Sequence, residues 1–262
     1  MSASLSASTP IPAHAVSRLR ATRLAASSKP FVARGGGSVR CPQCRLVHSH
    51  CICSLKPSAA VRAGFCLLMG DIEALKPSNT GWLIADLVPD THAFAWSRTV
   101  VDPALTSLLS DPQWQPVVVF PADYADPERL VRTWPAPTNA APANGSRRPL
   151  FVLLDGTWAE ARKMFRKSTY LSQLPVLALQ PQSASVYRLR QASKGHHLCT
   201  AEVAALCLEQ AGEPQAGALL AAWLDVFSEH SLSVRKCRTL DHGSAAHQRL
   251  RTLAAGRSWH PA

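Results

Sequence analysis

The chain has 262 residues, 47% of them hydrophobic and 17% charged, with a formal net charge of +11. Such a length and apolar content support one large domain with a core of its own. No apolar run is long enough to cross a bilayer, and residues 1–40 lack the apolar centre of a secretory signal, so membrane and secreted classes are excluded and a cytoplasmic protein is expected.

The charge is unevenly placed. Residues 1–70 hold nine Lys or Arg and no acid, a balance of +9. Residues 235–262 hold six basic residues and Asp241, a balance of +5. The remaining 71–234 has 13 basic and 16 acidic residues, a balance of −3. A near-neutral body with basic ends suits a partner rich in phosphate, that is, a nucleic acid.

In chain order, residues 1–39 are rich in Ser, Ala and Arg and read as a disordered basic tail, though the composition also resembles a transit peptide. Residues 40–58 contain CPQCRLVHSHCICS, which spaces Cys41, Cys44, Cys51 and Cys53 as C-x2-C-x6-C-x-C. Four thiolates at that spacing can converge on one tetrahedral ion, giving a closed structural Zn2+ site. A disulfide pair and an iron–sulfur cluster are the rival readings, and His48 or His50 could replace a thiolate. Cys66, Cys199, Cys207 and Cys237 are scattered and read as core or incidental thiols.

The body is expected over 59–234. VRAGFCLLM (61–69) predicts a buried strand, followed by a polar stretch and a helix near 79–87. THAFAW (91–96) and VVVF (117–120) predict further strands. Residues 134–149 are rich in Pro, Ala and Asn and predict a surface insertion. LFVLL (150–154) is the most strand-like run, and a helix follows over about 158–168. VLALQ (176–180) and VYRLR (186–190) predict short strands, with helices near 200–211 and 216–233. Residues 235–262 read as a basic extension. Strands alternating with helices predict an α/β fold with a mainly parallel sheet covered on both faces.

Ligands of such sheets bind beyond the carboxyl ends of the strands, and Asp155 stands at one. Gly156 allows a tight turn and Thr157 can cap the next helix. Asp155 itself reads equally as a capping carboxylate or as a catalytic or binding group. Trp158 offers a stacking face or a core anchor.

The stretch DGTWAEARKMFRKSTYLSQLP, starting at Asp155, resembles the DTW-domain family of tRNA-uridine aminocarboxypropyltransferases. PSNTG (77–81), VYRLR (186–190) and LCTAEVAALCLE (198–209) resemble that family in the same order, as does the cysteine cluster. The resemblance covers about residues 40–230. Two positions depart from it: Met69-Gly70 stands where relatives show Met-His, and Cys199-Thr200-Ala201-Glu202-Val203 where they show Ser-Thr-x-Glu-Ala. The resemblance implies transfer of the 3-amino-3-carboxypropyl group of S-adenosylmethionine to N3 of a tRNA uridine, in the variable loop for the bacterial type. It also implies a SPOUT-like sheet with a C-terminal knot around the cofactor, a fold often dimeric, though members with their own RNA-binding extensions can be monomers.

That reaction asks little of a protein. The electrophile is the methylene beside the sulfonium, and the leaving group is neutral methylthioadenosine. The uridine imide must lose a proton, so one placed carboxylate and good alignment carry most of the chemistry. Asp155, Thr157 and Trp158 are the expected catalytic set, with Asp155 taking or orienting the N3 proton. Asn79, Thr80, Arg188, Thr200 and Glu202 are the expected cofactor contacts; capping is the plain alternative for the Asn79–Thr80 and Thr200–Glu202 pairs. Arg162, Lys163, Arg166 and Lys167, at helical spacing, and Arg190 are the expected tRNA contacts, or else a solvated surface. Methyl transfer from the same cofactor, and a non-catalytic zinc-containing RNA-binding protein, are the competing functions.

Overall fold

The computed structural model describes residues 14–32, 38–132, 147–180, 187, 189 and 198–256. Six parallel strands form one sheet: β1 Gly64–Met69, β2 Thr91–Ala95, β3 Trp114–Val119, β4 Leu130–Val131, β5 Arg148–Asp155 and β6 Val176–Leu177, in the order β2-β1-β5-β3-β6-β4. Alternate residues of the central strands enter two separate cores. Phe65, Leu67, Met69, Phe151 and Leu153 point to one, and Cys66, Leu68, Leu150 and Val152 to the other. The first is covered by α2 Gly81–Leu87, α5 Thr200–Gln210 and α6 Pro214–Arg235, the second by α3 Pro103–Ser110 and α4 Trp158–Lys167. Burial on both faces is why these strands read as unbroken apolar runs. Gly217 lets α6 approach α5: a Cβ there would lie 2.7 Å from the Ala205 carbonyl oxygen.

Chain direction sets the site. The link after β1 leads to β2 on one side; the link after β5 leads to β6 on the other. The two links part above the carboxyl ends of β1 and β5, where Met69 is paired with Asp155. Such a switch point opens a crevice in a parallel sheet.

Several expectations differ from the structure. The tail expected to be disordered over 1–39 contains α1, Ala15–Ala25, docked on the body. Ala15 and Val16 are buried, Arg20 donates to the Leu75 carbonyl at 2.6 Å, and Arg23 pairs with Asp71. Arg20 and Arg23 thus add polar anchors to Val16 and Leu19, which pack on the first core. The expected insertion at 134–149 mostly lies outside the described residues, but Arg148 and Pro149 belong to β5. Arg148 lies against Trp114, its guanidinium 4.4 Å from the ring centre, and its amide donates to the Gln113 carbonyl at 2.8 Å. Within 186–190 only Tyr187 and Leu189 are described, and neither lies in a strand. Arg188, Arg190 and most of 181–198, where a knot would run, lie outside the described residues. The basic extension expected over 235–262 holds α7, Ala245–Ala255, capped by Ser244 and packed on α6 through Leu250 and His247. No helix among the described residues is long and apolar enough to cross a membrane.

Candidate active site and cysteine knuckle

Asp155 ends β5 with 2% of its surface exposed. Its Oδ2 accepts a hydrogen bond from Asn79 Nδ2 at 2.7 Å, and its Oδ1 accepts one from the Thr200 hydroxyl at 2.7 Å. Its carbonyl accepts from the Gly70 amide at 2.8 Å. One carboxylate thus ties the end of β5 to the loop before α2 and to the start of α5. Three sequence stretches far apart in the chain meet on it, in the crevice between β1 and β5.

The surrounding loop is held from below. Asn79 Oδ1 accepts from the Trp82 amide at 3.1 Å, and its Nδ2 also reaches Glu73 Oε2 at 3.5 Å. Glu73 is fully buried and forms an ion pair with Lys76. Gly81 lies directly against the carboxylate: a Cβ there would sit 2.6 Å from Asp155 Oδ2. Tyr187 donates its hydroxyl to the Ser78 carbonyl at 2.6 Å. At Gly70 a Cβ would meet Glu160 Oε1 and Glu73 Cγ at 3.4 Å, so the Glu160 carboxylate and the Glu73 stem line that spot.

The other expected residues take more local parts. Thr157 caps α4 in a reciprocal arrangement with Glu160, whose Oε2 accepts from the Thr157 amide at 2.8 Å. Glu202 likewise accepts from the Cys199 amide at 2.6 Å, and the Ala201 amide reaches Thr80 Oγ1 at 3.3 Å. The Cys199 and Ala201 amides at the start of α5 therefore have side-chain partners; for Glu202 this is the capping arrangement, while Thr80 makes no side-chain cap of its own helix α2. Trp158 stacks on Phe120 with ring centres 5.4 Å apart and meets Tyr124 edge-on, anchoring α4 over the second core. Arg162, Lys163, Arg166 and Lys167 are all exposed, while Ala161 and Met164 on the same helix are buried. Beginning three residues after Asp155, α4 carries this cationic face away from the crevice mouth.

The knuckle packs beneath the site. The Sγ atoms of Cys41, Cys44, Cys51 and Cys53 all lie within 4.8 Å of one another. Cys41 and Cys53 are 3.6 Å apart and Cys44 and Cys51 3.7 Å, near the roughly 3.8 Å edge of a tetrahedron with Zn–S bonds of about 2.3 Å. All four are free thiols, and a disulfide would need about 2.05 Å. Burial pushes the Cys44 thiol up to about 11 and Cys53 upward too, so four clustered thiolates need a cation to hold them. The cluster is consistent with structural zinc.

No sequence pattern signals what joins knuckle to site. Arg45, the residue after Cys44, is buried at 2% exposure, with a left-handed φ of 66°. Its Nη1 reaches the carbonyls of Lys76, Pro77 and Asn79 at 3.3, 3.2 and 3.0 Å, and its guanidinium lies 4.2 Å from the Trp82 ring centre. Burial lowers it to about 10, still cationic at neutral pH. Its carbonyl partners are backbone, so no side-chain pattern announces them.

No solved structure matches the chain. The family model for the DTW domain matches residues 38–232, which takes in the knuckle, the whole sheet and all three segments that meet at Asp155. The chain belongs to the DTW-domain family.

Proposed function

We propose that this protein transfers the 3-amino-3-carboxypropyl group of S-adenosylmethionine to N3 of a uridine in tRNA, in the variable loop. The DTW family is known for tRNA modification. The observation that carries the reading is Asp155, a carboxylate at the switch-point crevice, gathering Asn79 and Thr200 from distant motifs. A new bond forms between uridine N3 and the methylene carbon beside the sulfonium. The carbon–sulfur bond breaks with its electron pair on sulfur, releasing neutral methylthioadenosine, and the imide proton passes to a base. Asp155 is that base or orients the uracil for it. Asn79 and Thr200 fix its two oxygens, so their alignment with the substrate is set before binding. The Glu160 carboxylate beside Gly70 suits a cofactor bearing sulfonium and ammonium charges. Arg162, Lys163, Arg166 and Lys167 are suited to tRNA phosphates.

Purified protein, unmodified tRNA and two labelled cofactors test this. Label in the S-adenosylmethionine carboxyl group is expected in a uridine nucleoside. Methyl label there instead would replace the reaction with methylation, and neither label, despite tRNA binding, would leave a non-catalytic RNA-binding protein. Asp155→Asn is expected to lower transfer by about 10²–10⁴-fold, the range for a general base, with cofactor affinity measured separately by calorimetry.

A further inference from the structure

His230 on α6, His242 in the turn before α7 and His247 on α7 bring a ring nitrogen each within 4.8 Å of the others. His230 and His247 are buried, with Nε2 atoms 3.0 Å apart; His242 is exposed. The hydrogen bonds fix the tautomers. His230 Nδ1 lies 2.9 Å from the His50 carbonyl, which can only accept, so Nδ1 carries the hydrogen. His247 Nδ1 lies 2.9 Å from Ser244 Oγ, whose hydroxyl donates to Glu229 Oε2 at 2.8 Å. The serine oxygen is left to accept, so this Nδ1 is also a donor. Both Nε2 atoms then present bare lone pairs to each other, an arrangement that repels unless a cation lies between them.

We infer that His230, His242 and His247 form a second metal site, taking a zinc-class divalent ion through three imidazoles with an open position toward solvent. Two nitrogens on a tetrahedral zinc stand about 3.3 Å apart for bonds of 2.0–2.1 Å, close to the gap seen here. The backbone carbonyl on His230 and the Ser244–Glu229 chain on His247 are the outer partners that orient such ligands. Two of the three ligands, His242 and His247, lie beyond the residues matched to the DTW domain, so the site belongs to this chain's extension. The ion would pin α7 to α6 and, through the His50 carbonyl next to Cys51, join the knuckle.

The test uses full-length protein equilibrated with zinc chloride and desalted. Zinc per chain is measured by mass spectrometry, and the ligand shell by X-ray absorption. Wild type is expected to hold two zinc ions with a mixed sulfur and nitrogen shell. His242→Ala, an exposed change that leaves the fold intact by circular dichroism, is expected to hold one zinc with a sulfur-only shell, its second affinity weaker by more than about 100-fold. His247→Gln is expected to do the same. A single sulfur-bound zinc in wild type, or a second zinc retained in His242→Ala, overturns the site.

Discussion

Asn79 uses its whole amide: the two N–H bonds face Asp155 and Glu73, and the oxygen takes the Trp82 amide. Asn79→Asp keeps the shape but sets a third carboxylate against two others in a buried pocket. The expected cost is about 3–5 kcal/mol of stability, as for an uncompensated buried charge, read as a lower urea midpoint at neutral pH. An unchanged midpoint would mean the three groups do not meet as described. Gly81→Ala tests the same point sterically. Its Cβ would fall 2.6 Å from Asp155 Oδ2, so the carboxylate must leave Asn79 or Thr200, and transfer is expected to fall at least about 10-fold with tRNA affinity kept. At this scale Asp155 was marked by its place at the end of an apolar run, and Asn79 and Thr200 by the motifs that resemble the DTW family. The sequence did not mark Glu73 as a buried support, since a buried charge paired within its own loop leaves no period to read.

Among the elements, α4 shows most plainly how one helix serves two masters. Ala161 packs into the second core and Met164 is buried beside it on the helix, while Arg162, Lys163, Arg166 and Lys167 face solvent. Replacing all four cations with Ala is expected to weaken tRNA binding about equally for every tRNA and to lower the salt dependence by up to about 0.7–0.9 per lost phosphate contact. Melting temperature should barely move, because the core-facing residues are untouched; an unchanged salt slope would place the RNA elsewhere. The strands β1, β2, β3, β5 and β6 were legible as runs of strand-forming residues, and α2, α4, α5 and α6 as helices. The two-residue strand β4 is too short to carry an alternation. Helices α1, α3 and α7 each bury only two side chains, so their apolar stripe hardly exceeds chance.

On the scale of the whole molecule, parts beyond the sheet are joined to the site. Stripping metal from the knuckle should free Arg45 and, with it, the carbonyls of residues 76–79. Amide exchange across 76–81 is expected to rise on chelation and to recover with zinc; unchanged exchange would uncouple knuckle from site. The first helix is joined through a titratable cap. His14 Nδ1 accepts from the Ser17 amide at 3.2 Å, so that nitrogen must stay unprotonated for α1 to keep its cap. Asp86 stands 3.7 Å away but is already paired with Lys56 at 3.0 Å. Burial, then Lys56, Arg45 and Arg18, pull His14 down to about 3. The unfolded chain takes this proton near 6.5 and the folded chain does not, so the contribution is whole above 6.5 and drains as pH falls toward 3. By pH 5 the loss is about 2 kcal/mol. His14→Asn preserves a side-chain cap and removes the titration. Urea unfolding at pH 8 and pH 5 should therefore show the wild type losing about 2 kcal/mol more than the variant. Equal losses would mean that His14 is free to take its proton in the folded protein, and that α1 is held by Arg20 and Arg23 without the buried imidazole.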